Sequence, residues 1–386
     1  MYKRIIHIAL PEKSSCFLWG PRQTGKSTLL QERYPTSKRY DLLLSDEYRR
    51  LMHQPSLLRE ECLALARRAD TKDRPVVIDE VQKVPDLLDE IHWLIENTKL
   101  SFILCGSSAR KLRRGHANLL GGRAIRYELF PFVFPEIPDF SLEKALNDGL
   151  LPPHYNSNMA RTRLEAYVGD YLQEEIAAEA ATRNIPGFSR FLEIAAMGNG
   201  EMIQFTNIAR ECGVSAPTVK SYYQILEDTL LGKFIPAYQK RPKRRVILAP
   251  RFYFFDVGVV GLLTKRGRVE TGSELFGRAF EHFLFMELSA YASYSGLHYS
   301  ISYWRTASQL EVDFILGDHE VVIEVKGTSS AQPQHLKGLS AFGEEYRSRR
   351  RILVSCDPQP RSVTTKIEIL PWKIFLEELW SGKIIW

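Results

Sequence analysis

The residues best suited to chemistry form a glycine-rich segment near the N-terminus, GPRQTGKST at positions 20–28. It fits the spacing G-x-x-x-x-G-K-[ST], with a strand-like run before it and a helical pattern after it. In such a loop, backbone N–H groups and the positive end of the next helix cradle phosphates. We predict that Lys26 reaches the β- and γ-phosphates of ATP and that the Ser27 hydroxyl binds Mg²⁺. The predicted nucleotide contacts are Gly20, Pro21, Arg22, Gln23, Thr24, Gly25, Lys26, Ser27 and Thr28.

Two acids at the end of an apolar run complement this loop. The segment PVVIDE places Asp79 where it can hold the Mg²⁺ ion and Glu80 where it can activate the attacking water. The run SFILCGSS ends in Ser107, whose hydroxyl is predicted to touch the γ-phosphate or the water. Arg123 is the first candidate, ahead of Arg126, for the arginine that stabilises charge during phosphoryl transfer, in cis or from a neighbouring subunit; an ordinary surface role is the alternative.

The elements that position these residues alternate between short apolar runs and helical patterns. SSCFLWG, RYDLLL, RPVVIDE and SFILCGSS are strand-like, while GKSTLLQERY and LLDEIHWLIEN have helical spacing. This alternation predicts a parallel α/β sheet up to about residue 152. Proline-rich segments then indicate a boundary, and a long proline-free helical pattern follows.

A second candidate site lies in the segment FTNIARECGVSAPTVKSYYQILEDTLLGKF. Its pattern is helix-turn-helix, with Ser215 as N-cap of the second helix. Two strands around a basic turn follow, which predicts a winged helix. The predicted DNA contacts are Thr218, Lys220, Lys243, Arg244 and Arg245, and a helix pair used only for domain packing is the alternative.

A third candidate site lies near the C-terminus. EVDFIL, a short turn and VVIEVKG predict a hairpin with Glu324 and Lys326 on one face, near Asp313. An upstream helix can bring Glu281 close. Carboxylates bind Mg²⁺, and the lysine can position a water against a phosphodiester. A nuclease-like fold without activity, or a fortuitous charged strand face, is the alternative.

Composition and charge argue against a membrane protein, a secreted protein and a cysteine-bound metal site. The 386 residues carry a net charge of +6, with basic clusters at 110–114, 240–251 and 347–351 that can contact phosphates or simply be solvated. No apolar run approaches the roughly 18–20 residues that span a bilayer, so we expect no membrane association. The start of the chain does not predict a signal peptide, and the five cysteines lack metal-ligand spacing. We therefore expect reduced thiols and a cytoplasmic location.

Taken in order, these segments resemble a bacterial and archaeal family of AAA-type ATPases that carry a C-terminal domain of unknown function. The stretches that carry the resemblance include GPRQTGKST, VVIDEVQKVPDLL, ILCGSSARKL, FYFFDVGVVGLL and VVIEVKG. The resemblance implies a P-loop NTPase domain of AAA type with a parallel sheet (1–152), a helical linker or lid (153–200) and a winged helix with a basic wing (201–266). It also implies an α/β domain similar to restriction endonucleases of the PD-(D/E)xK type (267–386).

The combined interpretation is an Mg²⁺-dependent ATPase that acts on DNA or is regulated by it, as a homo-oligomer. Two alternatives remain: an ATP-dependent switch that binds an unknown protein partner without DNA, and an ATP-regulated DNA endonuclease.

Overall fold

The computed structural model describes residues 2–10, 14–67, 74–108, 120, 124–175, 184–240, 244–364 and 366–386. The chain forms two compact units. The first unit is Ile6–Phe130 with Asp228–Leu230, and the second unit is Met1–Ile5, Pro131–Glu227 and Leu231–Trp386. All five cysteines are free thiols. In the described part of the chain, no helix combines the length and apolarity needed to cross a bilayer.

The first unit is built on a five-stranded parallel sheet. Its strands are β1 (Ser15–Trp19), β2 (Arg39–Asp41), β3 (Val76–Asp79), β4 (Phe102–Gly106) and β5 (Ala124–Glu128). They lie in the order β2-β3-β4-β1-β5. Every residue of β1, β3 and β4 is buried, as expected for apolar runs covered on both faces of a parallel sheet. The predicted parallel α/β sheet is confirmed, and β4 lies between the two strands that carry the glycine-rich loop and the acidic pair.

In the described residues of the first unit, four α-helices accompany these strands. They are α1 (Lys26–Arg33), α2 (Ser45–His53), α3 (Ser56–Ala66) and α4 (Leu87–Asn97). Helix α4 buries Leu87, Leu88, Ile91 and Leu94, which repeat with helical spacing. Their side chains join the sheet residues in one apolar core.

The N-terminal half of the second unit is helical. Its α-helices are α5 (Leu142–Asp148), α6 (Pro152–Tyr155), α7 (Ala160–Ala166), α8 (Ile185–Met197), α9 (Phe205–Cys212), α10 (Ala216–Asp228) and α11 (Val257–Leu263). A π-helical stretch, Tyr167–Glu175, follows α7. Strands β6 (Gly232–Ile235) and β7 (Arg251–Phe254) pair antiparallel after α10. Asp256 begins α11 by accepting hydrogen bonds from the N–H groups of Gly258 and Val259.

The C-terminal half of the second unit contains a six-stranded mixed sheet. Its strands are β8 (Ile301–Arg305), β9 (Glu311–Leu316), β10 (Val321–Lys326), β11 (Arg350–Ser355), β12 (Arg361–Thr364) and β13 (Ile367–Pro371). The order is β12-β13-β11-β10-β9-β8. Three helices accompany it, namely α12 (Glu274–Tyr294), α13 (Lys337–Glu345) and α14 (Trp372–Trp380). The predicted hairpin of β9 and β10 is confirmed.

Candidate functional site

The glycine-rich loop joins β1 to α1 at the carboxyl edge of the parallel sheet. Gln23 and Gly25 have positive φ values of 65° and 89°, and Gly25 is the N-cap of α1. A Cβ atom at Gly20 would lie 2.4 Å from the carbonyl oxygen of Leu129, so this position requires glycine. The loop therefore presents the N-terminus of α1, with its unpaired N–H groups, at the sheet edge.

Lys26 is buried inside this loop. Its Nζ atom donates hydrogen bonds to the carbonyl oxygens of Gly20 at 2.7 Å and Pro21 at 2.9 Å. Thr24 Oγ1 also donates to the Pro21 carbonyl, at 2.8 Å. Burial lowers the pKa of Lys26, and nearby Glu80 partly opposes that shift. The structure therefore places a buried cation in the loop that is predicted to hold the phosphates.

Ser27 and Asp79 meet across the carboxyl edge of the sheet. Ser27 Oγ donates to Asp79 Oδ2 at 2.6 Å, which brings together the two side chains predicted to hold Mg²⁺. The donor set, one hydroxyl and one carboxylate oxygen, is the oxygen chemistry that Mg²⁺ prefers in phosphate sites. Arg39, which sequence reasoning missed, lies with its Nη1 atom 3.8 Å from Asp79 Oδ2. Because β2 lies beside β3, the basic residue at the start of β2 is the only sequence feature that could have predicted a place for Arg39 near Asp79.

Glu80 and Ser107 lie at the ends of adjacent strands, and a third side chain connects them. Glu80, with φ 57°, follows β3, and Ser107 follows β4; both are buried. Gln82 Nε2 donates to Glu80 Oε2 at 2.5 Å and to Ser107 Oγ at 3.2 Å. Gln82 was not predicted, although its place two residues after Glu80 is visible in the sequence.

The other candidates of the first unit differ in their exposure to solvent. Arg22 is half-buried, and Thr28 is exposed on α1. Arg123 lies outside the described residues. Arg126 is exposed on the edge strand β5.

The helix pair of the second unit has the predicted local features. Ser215 Oγ accepts from the N–H of Thr218 at 3.3 Å, which confirms it as the N-cap. Helix α10 buries Val219, Tyr222, Tyr223, Ile225 and Leu226, while Lys220, Ser221 and Gln224 are exposed and Thr218 is partly exposed. Lys220 Nζ lies 5.3 Å from the centre of the Phe205 ring. The outward face of α10 is therefore polar, with one cation.

Several basic side chains of the second unit form ion pairs within that unit. Arg244 pairs with Glu344 at 2.5 Å and Glu345 at 2.7 Å. Arg245 is exposed, and Lys243 lies outside the described residues. Arg350 pairs with Glu368 and Glu378. The cluster at 347–351 therefore has less free charge than its sequence suggests, whereas the cluster at 110–114 lies outside the described residues.

The C-terminal carboxylates surround a buried arginine. Arg251, the first residue of β7, pairs with Glu311, and its Nη1 atom lies 3.8 Å from Glu281 Oε1 and 3.9 Å from Asp313 Oδ1. Its guanidinium lies 4.4 Å from the centre of the Tyr303 ring. The sequence had placed this residue among the phosphate-contacting candidates of the basic segment, but its side chain is only 3% exposed. Arg251 is therefore unavailable to an external phosphate.

Around Arg251, the other predicted residues of this site are also paired. Lys326 Nζ lies 2.6 Å from Glu324 Oε1, and Asp313 Oδ2 accepts from the N–H of Val325 at 2.8 Å. Burial, with neighbouring Asp313, raises the pKa of Glu281. Within the described ranges, no three His, Cys, Asp or Glu side chains are arranged to hold a metal ion. The nuclease role of Glu281, Asp313, Glu324 and Lys326 stays a prediction.

Three sequence families match successive parts of the chain. Residues 12–138 match a family described as an AAA domain. Residues 139–270 and 276–375 match two families described as domains of unknown function, DUF8612 and DUF4143. No protein of curated function matches the chain significantly. The first unit is similar to an AAA domain over residues 12–138, and its five-stranded parallel sheet fits that fold; this similarity supports ATP binding and hydrolysis.

Three solved structures with partial similarity to this chain are each distant from it. Orc1 from Aeropyrum pernix, in complex with DNA, has 12% identity and a TM-score of 0.28 over 65% of this chain and 86% of its own. AMPPCP-bound DnaA from Aquifex aeolicus has 13% identity and a TM-score of 0.26, over 57% and 83%. A STAND ATPase with a tetratricopeptide repeat sensor from Pyrococcus horikoshii has 13% identity and a TM-score of 0.21, over 72% of this chain and 43% of its own. These TM-scores are too low to assign a function.

Proposed function

We propose that the protein hydrolyses ATP with Mg²⁺ at the carboxyl edge of the parallel sheet. The observation that carries this proposal is the 2.6 Å hydrogen bond between Ser27 Oγ and Asp79 Oδ2, which unites the ends of two separate sequence motifs. Lys26 lies in the same loop, and Glu80 follows Asp79 directly. The residues present therefore fit a nucleotide with its metal ion.

Each side chain has a distinct task in this proposal. The loop N–H groups and Lys26 bind the phosphates, and the ammonium opposes charge that develops on the γ-phosphoryl group. Ser27 and Asp79 hold Mg²⁺, which neutralises phosphate charge when bound. The Glu80 carboxylate orients the attacking water and accepts its proton. Arg123 remains the proposed arginine at the developing charge, and its supply in trans would require a homo-oligomer.

Two variants test the ATPase proposal. Lys26→Ala is expected to lose ATP binding, measured by calorimetry, because a phosphate cation is removed. Glu80→Gln is expected to bind ATP normally but lose turnover, because an amide cannot accept the proton. Glu96→Gln, an exposed position near the end of α4, is the control for the second change. Full turnover by Glu80→Gln would remove Glu80 from its assigned role.

We further propose that the second unit binds DNA through α10 and the segment between β6 and β7. The supporting observation is the polar outward face of α10, with Lys220, Ser221 and Gln224 exposed beside an antiparallel strand pair. Arg244 is held by two glutamates, so Lys243 and Arg245 are expected to contribute more to phosphate binding. Such contacts are electrostatic and weaken with salt.

Charge reversal tests the DNA proposal against the alternative of a switch that binds only a protein partner. The triple change of Lys243, Arg244 and Arg245 to Glu should weaken DNA binding and reduce the salt dependence of the binding constant. Lys373→Glu, exposed on α14, is the matched control for the single charge reversal Arg245→Glu, which is measured beside the triple change. ATP hydrolysis should be compared with single-stranded, duplex and branched DNA. Unchanged affinity and no stimulation by any DNA would favour the protein-partner switch.

A DNA endonuclease remains the other alternative. The Arg251 contacts weigh against it, because the carboxylates that would hold Mg²⁺ already surround a guanidinium. Lys326→Ala separates the cases, since it should abolish Mg²⁺-dependent cleavage by a true nuclease while leaving ATP hydrolysis intact.

A further inference from the structure

Gln82 is a buried amide that contacts both the proposed base, Glu80, and Ser107, which is predicted to touch the γ-phosphate or the attacking water. Its Nε2 atom donates to Glu80 Oε2 and to Ser107 Oγ. Its Oε1 atom is buried and has no hydrogen-bond partner among the described residues. A buried amide oxygen without a hydrogen bond costs free energy, so the contacts that the N–H groups make must explain why the Gln82 amide keeps this orientation.

The amide can adopt only one useful orientation here. An ionised carboxylate such as that of Glu80 accepts hydrogen bonds but cannot donate them, so only the NH₂ end of Gln82 can face it. The strand end is shaped for this arrangement: a Cβ atom at Gly106 would lie 2.2 Å from Gln82 Oε1. Glycine at the end of β4 therefore leaves the space that the amide occupies.

We propose that Gln82 is a positioning residue that fixes the Glu80 carboxylate relative to the group bound by Ser107; this inference rests on the proposed ATP hydrolysis. A serine hydroxyl accepts and donates at the same time. Ser107 can therefore keep the hydrogen bond from Gln82 while it donates its own proton to a γ-phosphate oxygen. The result is a continuous chain of hydrogen bonds from the phosphate through Ser107 and Gln82 to Glu80, in which the two bonds of Gln82 are formed before the nucleotide binds.

The test compares Gln82→Met with the wild-type protein. Methionine has nearly the same length and volume but no N–H donor. We expect kcat to fall about tenfold or more, because a base that contributes ~10²–10⁴-fold is no longer aligned, while the ATP dissociation constant stays within about twofold. The acid limb of the kcat–pH profile should move to higher pH, because the carboxylate loses a hydrogen bond that stabilises its charged form.

Two further variants keep the test decisive. Gln82→Glu retains the side-chain shape and places a like charge beside Glu80, so it should lower kcat and move the acid limb in the same direction. Gln54→Met, an exposed change on the same unit, should leave both unchanged. A structural residue alone would not move the pH profile in a variant that folds and binds ATP.

The outcomes separate this inference from the proposed function. If the wild-type protein hydrolyses ATP but both Gln82 variants match its kcat and pH profile, the positioning role is wrong and the ATPase proposal stands. If the wild-type protein neither binds nor hydrolyses ATP, both fall together. A lower kcat with unchanged ATP affinity and a shifted acid limb supports the positioning role.

Discussion

Arg251→Met removes the cation around which the C-terminal carboxylates are arranged. The wild-type guanidinium pairs with Glu311 and approaches Glu281 and Asp313 within 4 Å, and its side chain is almost fully buried. Methionine can fill the same volume but leaves the carboxylates without this partner. The second unit should therefore be destabilised through charge and not through packing.

The size of the effect follows from the burial of the pair. Removing one partner of a buried ion pair costs about 3–5 kcal/mol of unfolding free energy. Glu281 and Glu311 keep 26% and 28% of their side chains exposed, and Arg305 still contacts Glu311 at 3.1 Å. Water and Arg305 compensate part of the loss, so we expect the lower end, about 3 kcal/mol. Arg251→Lys keeps the charge but loses the planar fork, so about half that loss is expected.

Urea denaturation followed by tryptophan fluorescence and circular dichroism measures these differences. Arg278→Met is the control, because the Arg278 side chain is 55% exposed and approaches its acidic neighbours, Glu201 and Glu274, no closer than 3.7 Å. Its loss should be within about 0.5 kcal/mol. A loss below about 1 kcal/mol for Arg251→Met would refute the claim that this arginine compensates the cluster.

Mg²⁺ provides an independent check on the same reasoning. A ligand that binds only the folded state stabilises it by RT ln(1 + [L]/Kd). In an Asp79→Asn background, which disables the proposed metal site of the first unit, millimolar Mg²⁺ should not stabilise the second unit while Arg251 is present. Clear stabilisation by Mg²⁺ would mean that the carboxylates take a metal ion despite the arginine.

Two further changes test local features of the second unit. Burial raises the pKa of Glu287 to about 8, against about 4.3 in an unfolded chain, although Trp380 Nε1 and the N–H of Phe134 donate to its carboxylate. The folded state therefore holds a proton that the unfolded state loses, and stability falls as pH rises from about 4.5 to 8, by at most about 1.4 kcal/mol per pH unit. Urea titrations at pH 5–8 measure the unfolding free energies of Glu287→Gln and of the wild type. As pH rises, the wild type should lose stability relative to the variant, and a difference that stays constant would contradict the assignment. Ser215→Ala should lower the unfolding free energy by about 1 kcal/mol, because α10 loses its N-cap. Ser221→Ala, at an exposed position of the same helix, should lower it much less, and equal losses would exclude the cap as the cause.

The arrangement of the candidate nucleotide site could be predicted because its parts are local in sequence. The loop, β3 and β4 each end in chemically distinctive residues, and parallel strands bring their carboxyl ends to one edge. Apolar runs of four to five residues were enough to locate β1, β3 and β4, and hence to place Lys26, Asp79 and Ser107 together. The direct Ser27–Asp79 contact spans 52 positions in the sequence, and it joins the carboxyl ends of β1 and β3 at one edge of the sheet, on either side of β4.

The C-terminal cluster was harder to predict because its cation comes from outside the motif. Arg251 lies 60 positions before Glu311 in the sequence, within a run of basic residues typical of a solvated or phosphate-binding loop. Nothing in that run distinguishes one buried arginine from its exposed neighbours. The pairing depends on the start of β7 meeting β9 and α12, which is a matter of tertiary packing and not of local pattern.

This difference bears on how the two candidate sites should be weighed. At the candidate nucleotide site, the hydrogen bonds of the buried cation Lys26 within the described part of the chain go to backbone carbonyls of its own loop, so incoming phosphates can replace those contacts at little cost. At the C-terminal cluster, the buried cation Arg251 bonds to carboxylates, and displacing it would separate the charges of Arg251 and Glu311 from each other. The first arrangement is suited to binding an anionic ligand, and the second is suited to holding β7 against β9. ATP binding is therefore the first property to measure, and the C-terminal carboxylates form a nuclease centre only if DNA cleavage depends on Lys326.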